Sequence, residues 1–262
     1  MLPVGMPYDF SMVAIMVHFT ANPTSLEQLL MPPLQPLQTR KGEAFWLLID
    51  HLMAPANAST SDWHPERLRM LESVVGIPCS FKGNAGVFYC YSWTDREWSL
   101  IMEWLTGMCG RLARLSLTQM QPEHPVHNGP RPGSHYVGTV ERLAARVATG
   151  NVVLQRKAEA SELPFHELMD IYGLRHIPNV DIDAAGRPLA FDLVSEQLQN
   201  QQLYEAWVGT GSLVFGDAEN EWLLPIQPTG VCAGYYLRFS YRSLGMRVEH
   251  DYLKYPVVGV NA

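Results

Sequence analysis

The sequence predicts a mostly-β protein in which many short strands are separated by turns. Nineteen prolines and twenty glycines interrupt the chain at short intervals, which does not suit long helices. Met12–Phe19 is an apolar, β-branched run of strand length, and Arg111–Met120 alternates apolar and polar residues like a strand with one buried face. We therefore expect a single β-rich domain over residues 1–262, with short peripheral helices.

The N-terminal half predicts strands joined by short connections. After Met12–Phe19, the segment LEQLL reads as a short helix capped by the hydroxyl of Thr24 or Ser25. Glu97–Met108 fits a strand or a helix, because its apolar positions suit neither period cleanly. The further predicted strands are Ala44–Leu52, Val74–Phe81 and Ala85–Trp93, the last two forming a hairpin through Lys82-Gly83-Asn84, and a polar loop is expected over Pro55–Arg69.

The C-terminal half predicts further strands after a proline-rich connection. Gln121–Ser134 contains four prolines and cannot be a regular element, so it is expected to be a loop or an arm in an oligomer contact. Ser161–Tyr172 reads as helix or loop, and Gly209-x-Gly211 reads as a turn, since it lacks the strand-to-helix context of a phosphate site. The predicted strands are Tyr136–Ala148, Asn151–Lys157, Leu174–Ile182, Leu189–Glu196, Gln201–Val208, Ser212–Phe215 and Gly234–Tyr241.

Charge and cysteine content exclude several classes of function. A net charge of -7 and a pI near 5.7 argue against a nucleic-acid partner, since phosphate binding needs clustered Lys and Arg. The four cysteines are widely spaced, which favours free thiols in a reducing compartment. The apolar stretch Phe10–Phe19 follows Asp9 rather than a basic region, and no apolar segment approaches the roughly 18 residues of a membrane span. We expect a cytoplasmic protein without a membrane partner.

Two blocks of the sequence resemble the acetoacetate decarboxylase family. The first is Glu72–Tyr91, in which Glu72, Ile77-Pro78 and Ser80-Phe81 are followed by glycines at 83 and 86. The second runs from His176 to Leu253 and includes Ile177-Pro178, the turn Asp183-Ala-Ala-Gly186, the segment Glu205-Ala-Trp-x-Gly-x-Gly211 and Asp251-Tyr252-Leu253. The likeness extends over roughly residues 8–255.

The resemblance carries expectations about fold and chemistry. It implies a closed, cone-like antiparallel β-barrel with peripheral helices, an apolar cavity and a tendency to form homo-oligomers. Family decarboxylases form an imine between a lysine of a Pro-Lys-Lys segment and the keto group of the substrate. Here Cys109-Gly110-Arg111 falls at that place, and no lysine lies between Lys82 and Lys157. We therefore expect an enzyme of this superfamily that does not use imine chemistry.

Two carboxylates are the candidate catalytic residues. Glu72 matches the active-site glutamate that follows the family's long loop. Asp50 and His51 end an apolar strand, and because neighbouring strand side chains point to opposite faces, at most one of them can face the cavity. We favour Asp50, since a second carboxylate could share a proton with Glu72.

Four residues near the altered motif are candidates for substrate binding. Arg111 could grip a substrate carboxylate with its guanidinium fork or form a salt bridge, and Cys109 could act as a nucleophile or as a small hydrophobic residue. Glu103 and Trp104 flank the motif and could line the cavity or its rim. No metal is expected, since the spacing of His124, His127 and His135 matches no zinc pattern, and no cofactor is expected.

Three functions fit these residues. The first is acid–base dehydration, isomerisation or cyclisation of a small or polyketide-like carbonyl compound in secondary metabolism. The second is a non-catalytic barrel that binds an apolar ligand, which a cavity without inward ionisable groups would favour. The third is an imine enzyme that uses Lys82, although this lysine lies in a predicted hairpin turn, where exposure is normal.

Overall fold

One twelve-stranded sheet organises the chain. The computed structural model describes residues 6–56, 68–121, 123–168, 170–184 and 186–257. Its strands are β1 Tyr8–Thr20, β2 Gln35–Pro36, β3 Glu43–Pro55, β4 Arg69–Phe81, β5 Asn84–Thr94, β6 Gly110–Leu112, β7 Arg114–Leu117, β8 His135–Arg142, β9 Ala145–Lys157, β10 Asp170–Ile177, β11 Ala190–Phe215 and β12 Gly230–Asp251. Its α-helices are α1 Pro23–Glu27 and α2 Glu97–Thr106, and short 3₁₀ helices lie at Gln38–Arg40, Ala160–Glu162, Ile182–Ala184 and Leu224–Ile226.

The strand pairings return to their starting point. Following hydrogen-bonded neighbours gives the circuit β1–β3–β4–β5–β10–β11–β12 and back to β1. Most of these ladders are antiparallel, but β5 pairs in parallel with β10 and with β6. The mostly-β class is confirmed, and the parallel ladders add a feature that the alternation of residues did not predict. A sheet that closes in this way has an interior face and an exterior face.

The two faces of the sheet carry separate apolar cores. Alternate residues of β1, such as Phe10, Met12 and Met16, belong to the interior core, whereas Ile15 and Val17 belong to the exterior core. The exterior core is covered by the β7–β8–β9 extension of the sheet, which the chain folds back over β1, β3 and β4. Trp46 points to the exterior face of the circuit and is fully buried beneath this extension. The interior of the circuit contains the cavity described below.

Several predicted elements are corrected by the structure. The Gly209-x-Gly211 segment is not a turn but lies within β11, which runs unbroken where three strands were expected. A Cβ at Gly209 would lie 1.9 Å from the Val153 carbonyl oxygen, so glycine permits close approach of β9. The strand expected over 136–148 is divided by a turn at Leu143 and Ala144, which both have positive φ and lack the usual turn residues.

The helices settle two points that the sequence left open. Glu97–Thr106 is a helix, and it ends at Gly107, whose φ of +87° is the left-handed conformation typical of a helix C-cap. The first helix is capped by the side chain of Asn22 rather than by Thr24 or Ser25, because Pro23 takes the first helical position. No helix among the described ranges is long and apolar enough to cross a membrane. Most of the loop expected over Pro55–Arg69 lies at 57–67, outside the described residues.

Candidate active site

A cavity inside the strand circuit is lined in part by ionisable side chains. Its volume is about 110 Å³, and β1, β3, β4, β5, β11, β12 and α2 all contribute to its wall. Most of the lining is apolar, and seven of the wall residues are methionines. Set into this wall are His51, Glu72, Glu103 and Glu196, and we call this space the acidic cavity.

His51 and Glu72 are brought together by the pairing of β3 with β4. Ile49 lies opposite Glu72 and His51 lies opposite Met70, so His51 and Glu72 are diagonal neighbours on the interior face. Their Nε2 and Oε2 atoms are 2.7 Å apart, an ion-pair distance when the imidazole is protonated. His51 is only 2% exposed, and no described residue gives either of its ring nitrogens a well-aligned hydrogen bond. Nε2 faces Glu72, and Nδ1 is the ring nitrogen without an ion-pair or hydrogen-bond partner among the described residues.

Glu103 is a buried carboxyl group placed beside Glu72 by helix α2. The Ser92 hydroxyl lies 2.8 Å from Glu103 Oε2 and 3.3 Å from Glu72 Oε1, within hydrogen-bond reach of both carboxyl groups. The Ser99 hydroxyl lies 3.3 Å from the other oxygen, Glu103 Oε1. Burial, and then the nearby charge of Glu72, raise the pKa of Glu103 well above its usual value, although the two serines oppose this shift. Helix α2 thus holds the Glu103 carboxyl group in surroundings that favour its protonated form.

Glu196 adds a third carboxyl group from strand β11. Burial is the main cause that raises its pKa to about 7, and the charge of Glu72 adds to it, while Ser243 and His51 act in the opposite direction. Two cavity tyrosines, Tyr89 and Tyr241, also have raised pKa values, first because of burial and then because of neighbouring glutamates. The cavity therefore contains several groups whose protonated forms are favoured by burial, which suits acid–base catalysis on a bound molecule.

The expected pairing of Asp50 with Glu72 does not form. Asp50 points to the opposite face of β3, where its carboxylate pairs with Arg69 at 2.9 and 2.6 Å. His51 takes the interior position instead, since the residue that pairs with Met70 on β4 is His51 and strand side chains alternate. The partner of Glu72 is therefore an imidazole rather than a second carboxylate.

Of the four residues expected to bind substrate, the structure brings only Glu103 into the acidic cavity. Arg111 instead lies 3.0 Å from the buried carboxylate of Glu221, which Arg142 also contacts at 3.1 Å. Trp104 is 58% exposed and donates its indole N–H to the Gly110 carbonyl. Cys109 is exposed and does not line the cavity. Arg111 thus takes the salt-bridge alternative, because β6 turns its side chain away from the cavity.

Every lysine of the chain lies at the surface. The sequence contains four, all within the described ranges, and all four are exposed. Lys82 occupies the β4–β5 turn with a φ of +51°, and its ammonium lies 4.7 Å from the Phe81 ring centre. Lys41 and Lys254 pair with surface carboxylates, and Lys157 lies 5.8 Å from the Trp207 ring centre. None of the four lines the acidic cavity.

The interior position of Glu196 is the site feature that sequence reasoning missed. The strand over Leu189–Glu196 was expected, but the face toward which its last residue points depends on the register between β11 and β12, which shifts next to Glu196. The histidines at 124, 127 and 135 lie away from the cavity, and the described residues contain no group of three or more His, Cys, Asp or Glu placed to hold a metal ion.

The chain belongs to the acetoacetate decarboxylase family, whose model matches residues 2–253. Its fold is similar to the enduracididine biosynthesis enzyme MppR, with a TM-score of 0.84, 21% identity and coverage of 95% of this chain and 90% of that one. The fold is also similar to that of an acetoacetate decarboxylase-like enzyme from Sphingomonas wittichii RW1, with a TM-score of 0.84, 21% identity and coverage of 94% of this chain and 93% of that one. For acetoacetate decarboxylase from Legionella pneumophila, the TM-score is 0.78 and the identity 18%, with coverage of 96% of this chain and 90% of that one. No curated protein sequence matches the chain.

Family membership gives meaning to the contact between Gly110 and Glu103. Gly110 is the residue that the sequence resemblance aligns with one of the family's two lysines. A Cβ built on Gly110 would lie 2.1 Å from Glu103 Oε2, so the Glu103 carboxyl group fills the space that a side chain at position 110 would need. The absence of a side chain at Gly110 therefore makes room for the Glu103 carboxyl group.

Proposed function

We propose that this protein is an enzyme that uses Glu72, His51 and Glu103 for acid–base chemistry on a carbonyl compound, without forming an imine. The observation that carries the proposal is the contrast between three glutamates and a histidine inside the cavity and four lysines outside it. An imine enzyme needs a buried, neutral amine at the reacting carbonyl. A non-catalytic binding barrel would not need four ionisable groups facing its ligand, since burying them costs free energy.

The geometry supports a division of roles between the two neighbouring carboxyl groups. Glu72, which lies beside His51, removes a proton from the carbon next to the carbonyl. The electron pair of that C–H bond forms a C=C bond, and the carbonyl π pair takes the proton of Glu103 to give an enol. Ser92 contacts both carboxyl groups and can pass a proton between them, which restores the starting state.

The enol is the common intermediate of the reactions we propose. Returning a proton at another carbon gives isomerisation, expelling a β-hydroxyl group as water gives dehydration, and attack on a second carbonyl within the molecule gives cyclisation. Structures of MppR carry pyruvate and the condensation product of pyruvate and imidazole 4-carboxaldehyde, which supports a carbonyl ligand for this fold. MppR is also an enduracididine biosynthesis enzyme, which supports a role in secondary metabolism.

Deuterium exchange tests the enolisation step without knowledge of the natural substrate. We expect the protein to exchange the protons next to the carbonyl of nonan-2-one with D₂O, as followed by proton NMR. Glu72→Gln should slow this exchange about 100-fold or more, the usual contribution of a general base. Asp50→Asn is the matched control, since Asp50 faces outward one residue from His51, and it should retain the wild-type rate. Equal rates for Glu72→Gln and wild type would refute the assignment.

Borohydride reduction tests the absence of an imine. We expect no covalent adduct by mass spectrometry after reduction in the presence of saturating nonan-2-one, because all four lysines lie outside the cavity. A ketone-sized mass increase located on Lys82, or on any other lysine, would contradict the proposal and favour the imine alternative.

A further inference from the structure

A second, larger space adjoins the acidic cavity. It has a volume of about 380 Å³, and its inner end is lined by buried apolar side chains that include Met16, Phe45 and Leu237. Five residues contribute to the walls of both spaces: Leu47, Tyr89, Ile171, Phe239 and Tyr241. We call this space the apolar chamber, and its common wall places it directly beside the four ionisable groups.

The wall of the apolar chamber changes in character from its inner end to its outer end. The inner end is closed by side chains that are at most 9% exposed, among them Val87, Leu163 and Leu168. The outer end is formed by exposed residues, including His166, Gln201 and Gln202. No Lys, Arg, Asp or Glu contributes to the described lining. The chamber is thus an apolar space that reaches the surface at one end and shares part of its wall with the acidic cavity.

We infer that the substrate is an uncharged carbonyl compound with an apolar tail, whose carbonyl end reaches the acidic cavity while its tail occupies the apolar chamber. This inference rests on the proposed function for the location of the carbonyl. The absence of charge follows from the acidic cavity, whose described lining holds neither Lys nor Arg and so offers no fixed cation to compensate a buried anionic group. The tail follows from the chamber, since about 30 Å³ for each water-sized group leaves room for roughly ten non-hydrogen atoms.

Binding of a homologous ketone series tests the tail. The probes are propan-2-one, pentan-2-one, heptan-2-one and nonan-2-one, and their affinity is measured by calorimetric titration of the full chain. Each buried CH₂ group should tighten binding about fourfold, so the affinity should rise roughly four-thousandfold over the six CH₂ groups that separate the ends of the series. Octanoate, which has the same heptyl tail and the same number of non-hydrogen atoms as nonan-2-one but carries a charge, should bind at least tenfold more weakly than nonan-2-one at pH 8.

Two variants separate the chamber from the protein surface. Leu163→Trp fills the chamber from a buried wall position and should remove the gain in affinity beyond pentan-2-one, whereas the matched Leu224→Trp change on an exposed 3₁₀ helix should leave the series unchanged. If Leu163→Trp does not fold, as judged by circular dichroism, Leu168→Phe provides the same test from a second wall position.

The outcomes distinguish this inference from the proposed function. Glu72→Gln should keep the dependence of affinity on tail length while it loses deuterium exchange, because the tail and the base are separate. Equal affinity across the ketone series, or an unchanged series in both chamber variants, would overturn the inference whatever the exchange rates show. Binding of octanoate as tight as that of nonan-2-one would overturn the inference that the substrate is uncharged. Persistent exchange in Glu72→Gln would overturn only the catalytic assignment.

Discussion

Replacement of Glu196 by glutamine should stabilise the protein increasingly as the pH rises. Glu196 is held inside the acidic cavity, where burial and the charge of Glu72 raise its pKa from 4.5 to about 7. Between these two values the native state binds a proton that the unfolded chain has already released. The native protein is therefore favoured at low pH, and this contribution is lost as the pH rises toward 7. Glutamine has the same shape and no proton to lose.

The size of the effect follows from the shift. A native pKa about 2.5 above the unfolded value corresponds to about 3 kcal/mol of unfolding free energy once Glu196 is ionised in both states. The same relation gives a gain in the unfolding free energy of Glu196→Gln over wild type of about 1 kcal/mol at pH 5 and about 3 kcal/mol at pH 8. The difference between the two values of pH is the diagnostic quantity, since it does not depend on the intrinsic preference for glutamine.

Urea unfolding of the wild type and the variant at pH 5 and pH 8 measures this difference directly. Glu167→Gln is the control, because Glu167 is exposed and its loss changes the net charge by the same amount. A gain that is equal at both values of pH would show that Glu196 titrates normally. Burial would then not favour the protonated form of Glu196 in the native protein.

The other predictions concern the packing around the site. Gly110→Ala should destabilise the protein by about 1–3 kcal/mol in urea unfolding, because its Cβ would lie 2.1 Å from Glu103 Oε2. The double variant with Glu103→Ala should lose less stability than the sum of the two single changes, and strict additivity would contradict the contact. Glu221→Gln should lower the free energy of unfolding by about 3 kcal/mol, since it leaves Arg111 and Arg142 without the buried carboxylate that they share. A loss below about 1 kcal/mol would show that solvent already compensates both arginines.

Local patterns in the sequence predict the strands more reliably than their boundaries. The apolar run at Met12–Phe19 and the hairpin around Lys82-Gly83-Asn84 are confirmed, because burial and turn chemistry are both local signals. The turn at Leu143–Ala144 was missed because neither residue is typical of a turn. The length of β11 was missed because its glycines reflect close contact with β9, which only the tertiary structure shows.

The candidate site was predictable in its chemistry but only partly in its residues. Glu72 and Glu103 lie in the cavity as the sequence pattern and the family resemblance suggested. The choice between Asp50 and His51 depends on which face of β3 is interior, and one residue of register decides it. Arg111 takes the salt-bridge alternative that the sequence left open, and its partner Glu221 could not be identified from local patterns because it lies 110 residues away in the chain. Assembly into homo-oligomers stays a prediction.

The methionines of the acidic cavity have a consequence for selectivity. An unbranched thioether side chain adopts many shapes at low energetic cost, so a wall built from such side chains adjusts to the contour of whatever it encloses. Discrimination by steric fit is therefore weak in this enclosure. The fixed carboxyl groups must then decide which molecules are accepted, through the points where a ligand offers or receives a proton. The seven residues concerned are Met6, Met12, Met53, Met70, Met102, Met108 and Met246.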